Sequence, residues 1–191
     1  MTDKMSQYRL AAIEPWSVSE ESFRPEMSMI GESIFTLGNE YMGTRGNFEE
    51  GYGGDTMPGC YIGGIYVRER IHYGWQRKGF ASHGHNIFNT VNWLDIAVEV
   101  DGERLQLDTC AFRDYRRSLN MKSGLLSRQL VFQTRDGAET ALTWERLVSY
   151  ADRHIGAIRF SLTALNHRRP VKLSFALDGR TENLSCCTDR I

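Results

Sequence analysis

Residues 125–150 read LLSRQLVFQTRDGAETALTWERLVSY, and this stretch decides the fold. Two alternating runs, 125–134 and 139–150, flank Asp136-Gly137. Successive side chains of a strand point to opposite faces, so Leu142, Trp144, Val148 and Tyr150 share one side. An Asp-Gly pair between such runs supplies the left-handed backbone that a tight hairpin needs. The stretch is expected to form an antiparallel hairpin with one dry face and one wet face.

The pattern repeats on either side. Downstream, Ile158, Phe160 and Leu162 make another strand, and Val171, Leu173, Phe175 and Leu177 alternate with Lys172, Ser174 and Ala176. Upstream, in residues 91–100, Leu94, Ile96, Val98 and Val100 oppose Asp95 and Glu99. The turn Asp101-Gly102-Glu103 and a short run over 104–107 follow. No amphipathic helix of four turns is present. The best helical candidate is a turn or two near 19–23, with Ser19 as N-cap. The expected fold class is therefore all-β, an antiparallel two-sheet β-sandwich.

Ten of the 18 glycines fall between Gly31 and Gly64, interleaved with Phe35, Tyr41, Phe48, Tyr52 and Tyr61. Glycine loses the most backbone freedom on ordering, and the aromatic residues argue for packed turns rather than a linker. Two readings stand: a loop shaped against a ligand or second domain, or tight connections between short strands.

The whole chain has 191 residues, 23 Lys+Arg against 24 Asp+Glu, and no basic stretch, which gives no electrostatic case for nucleic acid. No apolar run approaches the ~20 residues of a membrane helix. The first nine residues have no apolar signal-peptide core, so a cytoplasmic protein is expected. Cys60, Cys110, Cys186 and Cys187 form no CxxC pair and read as reduced, small core residues. His83 and His85 could share a metal, but the bland reading is a polar loop before the next strand.

For sugar chemistry, a carboxylic acid beside the leaving oxygen is the minimum requirement. Candidates are Glu32, Glu40, Glu49, Glu50 and Asp55. Adjacent Glu49 and Glu50 point opposite ways on an extended chain, so they make a poor opposed pair. Arg45 could bind a phosphate or carboxylate through its planar fork, though pairing with Glu49 or Glu50 is the simpler expectation. Gly43-Thr44-Arg45-Gly46 is no P-loop, and neither GxGxxG nor GxSxG occurs. Trp93 and Trp144 lie in strand patterns and read as packing residues. Trp75 is the better candidate for an exposed sugar platform.

The run ESIFTLGNEYMGTRGNFEE at 32–50 resembles the opening signature of glycoside hydrolase family 65, which contains the maltose, trehalose, kojibiose and nigerose phosphorylases. Tyr61-Ile62-Gly63-Gly64-Ile65-Tyr66, Asn92-Trp93-Leu94, Val100-Asp101-Gly102-Glu103, YRRSLNMKSGLLSR at 115–128, Glu145-Arg146 and Ala151-Asp152-Arg153-His154 continue the likeness, which runs from about Trp16 to Gly179. One departure is Glu40 after Asn39, where the family usually has glycine.

The resemblance implies an N-terminal β-sandwich (16–191 here, after a tail at 1–15) preceding an (α/α)6 barrel. That barrel carries the general-acid glutamate and the phosphate-binding residues. It implies inverting phosphorolysis of an α-glucosyl disaccharide to β-glucose 1-phosphate, with inorganic phosphate as co-substrate and no other cofactor. No residue here matches the family's catalytic motif, and no metal site is expected. The chain is thus expected to be a non-catalytic, incomplete sandwich that braces the barrel, joins a homodimer, and lends Arg45, Asn47, Phe48, Glu49, Glu50 and Trp75 to the active-site rim. The alternatives are an autonomous carbohydrate-binding module built on Trp75, a hydrolase of the same family, and a purely structural truncation.

Overall fold

The computed structural model describes residues 12–71 and 78–183. Its strands are β1 (Ala12–Glu14), β2 (Ser17–Glu20), β3 (Leu37–Gly38), β4 (Met42–Thr44), β5 (Cys60–Arg70), β6 (His83–Asn89), β7 (Ile96–Val100) and β8 (Glu103–Arg104). After these come β9 (Ala111–Asn120), β10 (Leu125–Gln133), β11 (Glu139–Val148), β12 (Gly156–Ala164) and β13 (Val171–Phe175). The single described α-helix, α1 (Ser28–Ile34), follows a 3-10 turn at Pro25–Met27. No described helix is long and apolar enough to cross a membrane.

The all-β, antiparallel reading is borne out. Strands β1-β2-β9-β10-β11-β12 form a six-stranded antiparallel sheet. The hairpin read from residues 125–150 is its centre: Leu125 pairs with Leu147 and Gln133 with Glu139, and Gly137 has φ 87°. Leu126, Leu130 and Phe132 of β10 and Leu142, Trp144 and Val148 of β11 point inward. Each such side chain contributes about 1.5–3 kcal/mol by leaving water.

The facing layer is split in two. The sheet β13-β7-β8 packs Ile96, Val98 and Val100 onto Tyr115, Leu130, Phe132, Leu142 and Trp144. The sheet β3-β4-β5-β6 is anchored where Phe35 and Leu37 meet Leu119, Leu126 and Val148. The glycine-rich residues 45–51 cross the inner face between these two smaller sheets.

Three sequence expectations differ from the structure. Residues 19–23 form no helical turn: Ser19 and Glu20 end β2, where Glu20 turns inward to pair with Arg117 of β9. The short helix lies later, at Ser28–Ile34, where Pro25 opens the preceding turn. The strand expected over 91–100 pairs continuously only from Ile96; before it, Asn92 bridges Asp178. Tyr150 leaves the inward face after β11 ends and is 80% exposed, its hydroxyl donating to the Gly38 carbonyl. Along the β12–β13 side the sandwich is open: Phe175 is 66% and Leu177 77% exposed.

Candidate functional site

The inward face of the large sheet carries three arginines. Cross-strand registry sets Glu20 beside Arg117, Arg117 beside Arg128, and Arg128 beside Trp144. One rung along, Arg146 stands opposite Leu126. These positions have the same parity as the core leucines, so all three guanidinium groups are buried.

What they meet is the segment 45–50. Arg117 Nη1 donates to the Gly46 carbonyl at 2.9 Å, while its Nε and Nη2 reach Glu20 Oε2 at 3.0 and 2.7 Å. Tyr115 donates its hydroxyl to the same oxygen. Arg128 forks onto both neighbouring glutamates: Nη1 donates to Glu50 Oε1 at 2.7 Å, and Nη2 to Glu49 Oε2 at 2.9 Å and to Glu50 Oε2. Arg146 Nη2 donates to the carbonyls of Arg45 and Asn47, with Glu49 Oε1 3.5 Å from its Nη1. Phe48 lies under both Arg117 and Arg128.

Glycine is required at the entrance. A Cβ on Gly46 would lie 2.7 Å from Phe35 Cβ and 2.9 Å from the Phe35 carbonyl oxygen. Its amide donates to the Glu32 carbonyl at 2.7 Å, which ties the segment to the end of α1.

The electrostatics follow from burial and pairing. Burial alone would raise the Glu49 carboxyl, but the charges of Arg146 and Arg128 outweigh it and hold the group below the ordinary value of 4.5. Glu50 moves the other way: burial pushes it up and the Glu49 charge adds to that, with Arg128 opposing. Burial works against the Arg128 charge, yet Glu50 and Glu49 raise the group overall. Arg146, less fully paired, is lowered by burial despite Glu49.

Glu32, Glu49 and Glu50 are buried, and each is committed. Glu32 takes the Met57 amide at 2.7 Å, the Thr56 hydroxyl, and Arg45 at 3.8 Å. Arg45 therefore pairs with Glu32, not with Glu49 or Glu50 as expected, because Arg128 and Arg146 already occupy those two. Arg45 Nη2 also donates to Ser33 Oγ and the Met29 carbonyl. Glu40 is exposed and meets Arg153 at 3.3 Å, while Asn39 Oδ1 holds the turn by accepting from the Tyr41 and Met42 amides.

Asn47, Phe48, Glu49 and Glu50, read from the sequence as rim residues, have their side chains inside the sandwich. Trp75 lies outside the described residues. Asp55 is exposed at the edge of a cleft of about 470 Å³, lined also by Thr56, Met57, Asn92, Asp178 and Arg180. His83 and His85 fall within β6 rather than in a loop. No three His, Cys, Asp or Glu side chains gather as metal ligands among the described residues. Cys60 and Cys110 are buried thiols.

The arginine cluster was missed by motif reading, yet a signal for it exists. Arg117, Arg128 and Arg146 sit at inward parity in runs that otherwise carry Tyr, Leu, Trp and Val there.

The model of glycosyl hydrolase family 65, N-terminal domain, matches residues 18–191. The chain belongs to this family. Within it, maltose phosphorylase of Bacillus subtilis (strain 168) is 34% identical over 179 residues, 94% of this chain and 24% of that protein. Kojibiose phosphorylase of Caldanaerobacter subterraneus subsp. tengcongensis is 33% identical over 168 residues, 88% of this chain and 20% of the relative. A solved structure, a putative kojibiose phosphorylase from human microbiome, superposes with a TM-score of 0.81 at 32% identity, covering 89% of this chain and 22% of that one. The chain thus spans about a fifth to a quarter of the relatives it matches.

Proposed function

We propose that this chain is the N-terminal, non-catalytic sandwich of a cytoplasmic disaccharide phosphorylase acting on an α-glucosyl disaccharide such as maltose, trehalose or kojibiose. The observation that carries this reading is the commitment of Glu32, Glu49 and Glu50. A general acid must present a proton to the leaving oxygen, and these carboxyls face arginines and backbone amides instead.

In the proposed whole enzyme an (α/α)6 barrel supplies the acid. It protonates the glycosidic oxygen while inorganic phosphate attacks C1 from the opposite face, giving β-glucose 1-phosphate with inversion. Phosphate is already a nucleophile, so no second carboxylate is needed to activate water. The sandwich braces the barrel and takes part in a homodimer. Arg45 and Trp75 remain the proposed rim residues, while Asn47, Phe48, Glu49 and Glu50 hold the segment from inside the sandwich. The open β12–β13 side is where further covering is added.

Titration calorimetry of the chain with maltose, trehalose and kojibiose tests this reading against an autonomous module. No heat of binding is expected. Binding that Trp75→Ala abolishes would overturn the scaffold reading in favour of a sugar-binding domain.

A further inference from the structure

Around the arginine cluster lies a small void of about 10 Å³, lined by buried residues that include Asn47, Glu49, Arg128, Trp144 and Arg146. Four polar atoms of these residues have no hydrogen-bond partner among the described residues: Trp144 Nε1, Arg146 Nε, Arg146 Nη1 and Asn47 Oδ1. Trp144 and Arg146 are 1% exposed and Asn47 5%. Leaving such groups unpaired costs about 1–3 kcal/mol each, more for a charged one.

The size of the void decides what fits. It is about that of one water-sized sphere, the minimum for a single buried water, and far too small for phosphate or a sugar. Its chemistry decides further. The Trp144 and Arg146 nitrogens are donors, whereas Asn47 Oδ1 is an acceptor. A water oxygen accepts from two donors while its hydrogens reach Asn47 Oδ1 and a neighbouring carboxylate. A halide would accept from the same donors but leave Asn47 Oδ1 unmet and stand close to Glu49. The three arginines here already balance Glu20, Glu49 and Glu50 in charge, so no anion is needed for neutrality.

We propose that this void is a binding site for one long-resident water, which joins Trp144 and Arg146 of β11 to Asn47 of the glycine-rich segment. The water is a structural part of the clamp on residues 45–50: it takes two of the three open donors, and the third, Arg146 Nη1, already faces Glu49 Oε1 at 3.5 Å.

Water–protein cross-relaxation measured by NMR on the 191-residue chain tests this. The Trp144 indole proton is assigned by its loss in Trp144→Phe or, if that variant does not fold, by elimination with Trp16→Phe, Trp75→Phe and Trp93→Phe. The expected result is a cross-peak from the Trp144 indole proton to water, with the sign of a molecule resident for longer than the tumbling time. Absence of that peak would overturn the proposal. So would a melting temperature that rises with sodium bromide over sodium sulfate at equal ionic strength, since that result would assign the void to an anion.

Discussion

Arg128 and Trp144 are cross-strand partners, and the guanidinium carbon of Arg128 lies 4.0 Å from the centre of the indole ring. The ring fixes the plane of the fork, so the same guanidinium reaches Glu49 and Glu50 at once. A sheet whose inner face is largely apolar thereby grips a glycine-rich segment through charge. Three arginines do this together, and the segment they hold carries the family signature.

Removing Arg128 leaves the buried Glu50 without its arginine and Glu49 with Arg146 alone. Arg128→Met is expected to cost about 3–5 kcal/mol of folding stability, read from the urea midpoint. Arg128→Lys should lose less but remain clearly destabilised, because an ammonium is a single point charge and cannot fork onto both glutamates. A lysine variant as stable as the parent would contradict the bidentate role.

Gly46→Ala forces a methyl group against Phe35. The expected cost is about 1–3 kcal/mol, typical of overpacking. Gly179→Ala is the matched control, since nothing lies within 4 Å of its added carbon. Chemical denaturation of both variants checks the pair: the first should unfold at lower urea, the second near the parent value.

Glu49 should contribute a loss of stability on acidification, while Glu50, raised by burial, works in the opposite sense. The Glu49 carboxyl is held below 4.5 in the folded chain, so the folded state binds that proton more weakly than the unfolded state. The contribution is fully present above the unfolded value and is lost as pH falls through the folded one. Glu49→Gln removes it and should flatten the acid limb of a stability-against-pH curve. Asp136, Glu139, Glu145 and Asp178, also lowered by partners, keep part of the slope. Superimposable acid limbs for parent and variant would contradict the role given to Glu49.

Much of this architecture was legible in the sequence, and the failures have physical causes. Asp136-Gly137 and Asp101-Gly102 announced hairpins because their left-handed backbone is a local property; Asp101 has φ 53° and Gly102 φ 83°. The alternation around Trp144 gave the buried face, since strand parity is also local. Helix α1 was invisible because seven residues are too few to show a 3.6-residue period. The partner of Arg45 could not be read, because Glu32 is brought to it by the α1 turn while Glu49 and Glu50, nearer in sequence, are captured by strands 78 or more residues away. Burial of the three arginines was not legible, because the glutamates that face them, Glu20, Glu49 and Glu50, come from segments distant in sequence.

The most direct check on the scaffold role is release of glucose 1-phosphate by the purified 191-residue chain incubated with phosphate and maltose, trehalose or kojibiose in turn. The expected rate equals that of buffer alone for all three sugars. Sustained release above buffer with any of them, lost on heat denaturation of the chain, would contradict the assignment of the reacting acid to a separate barrel.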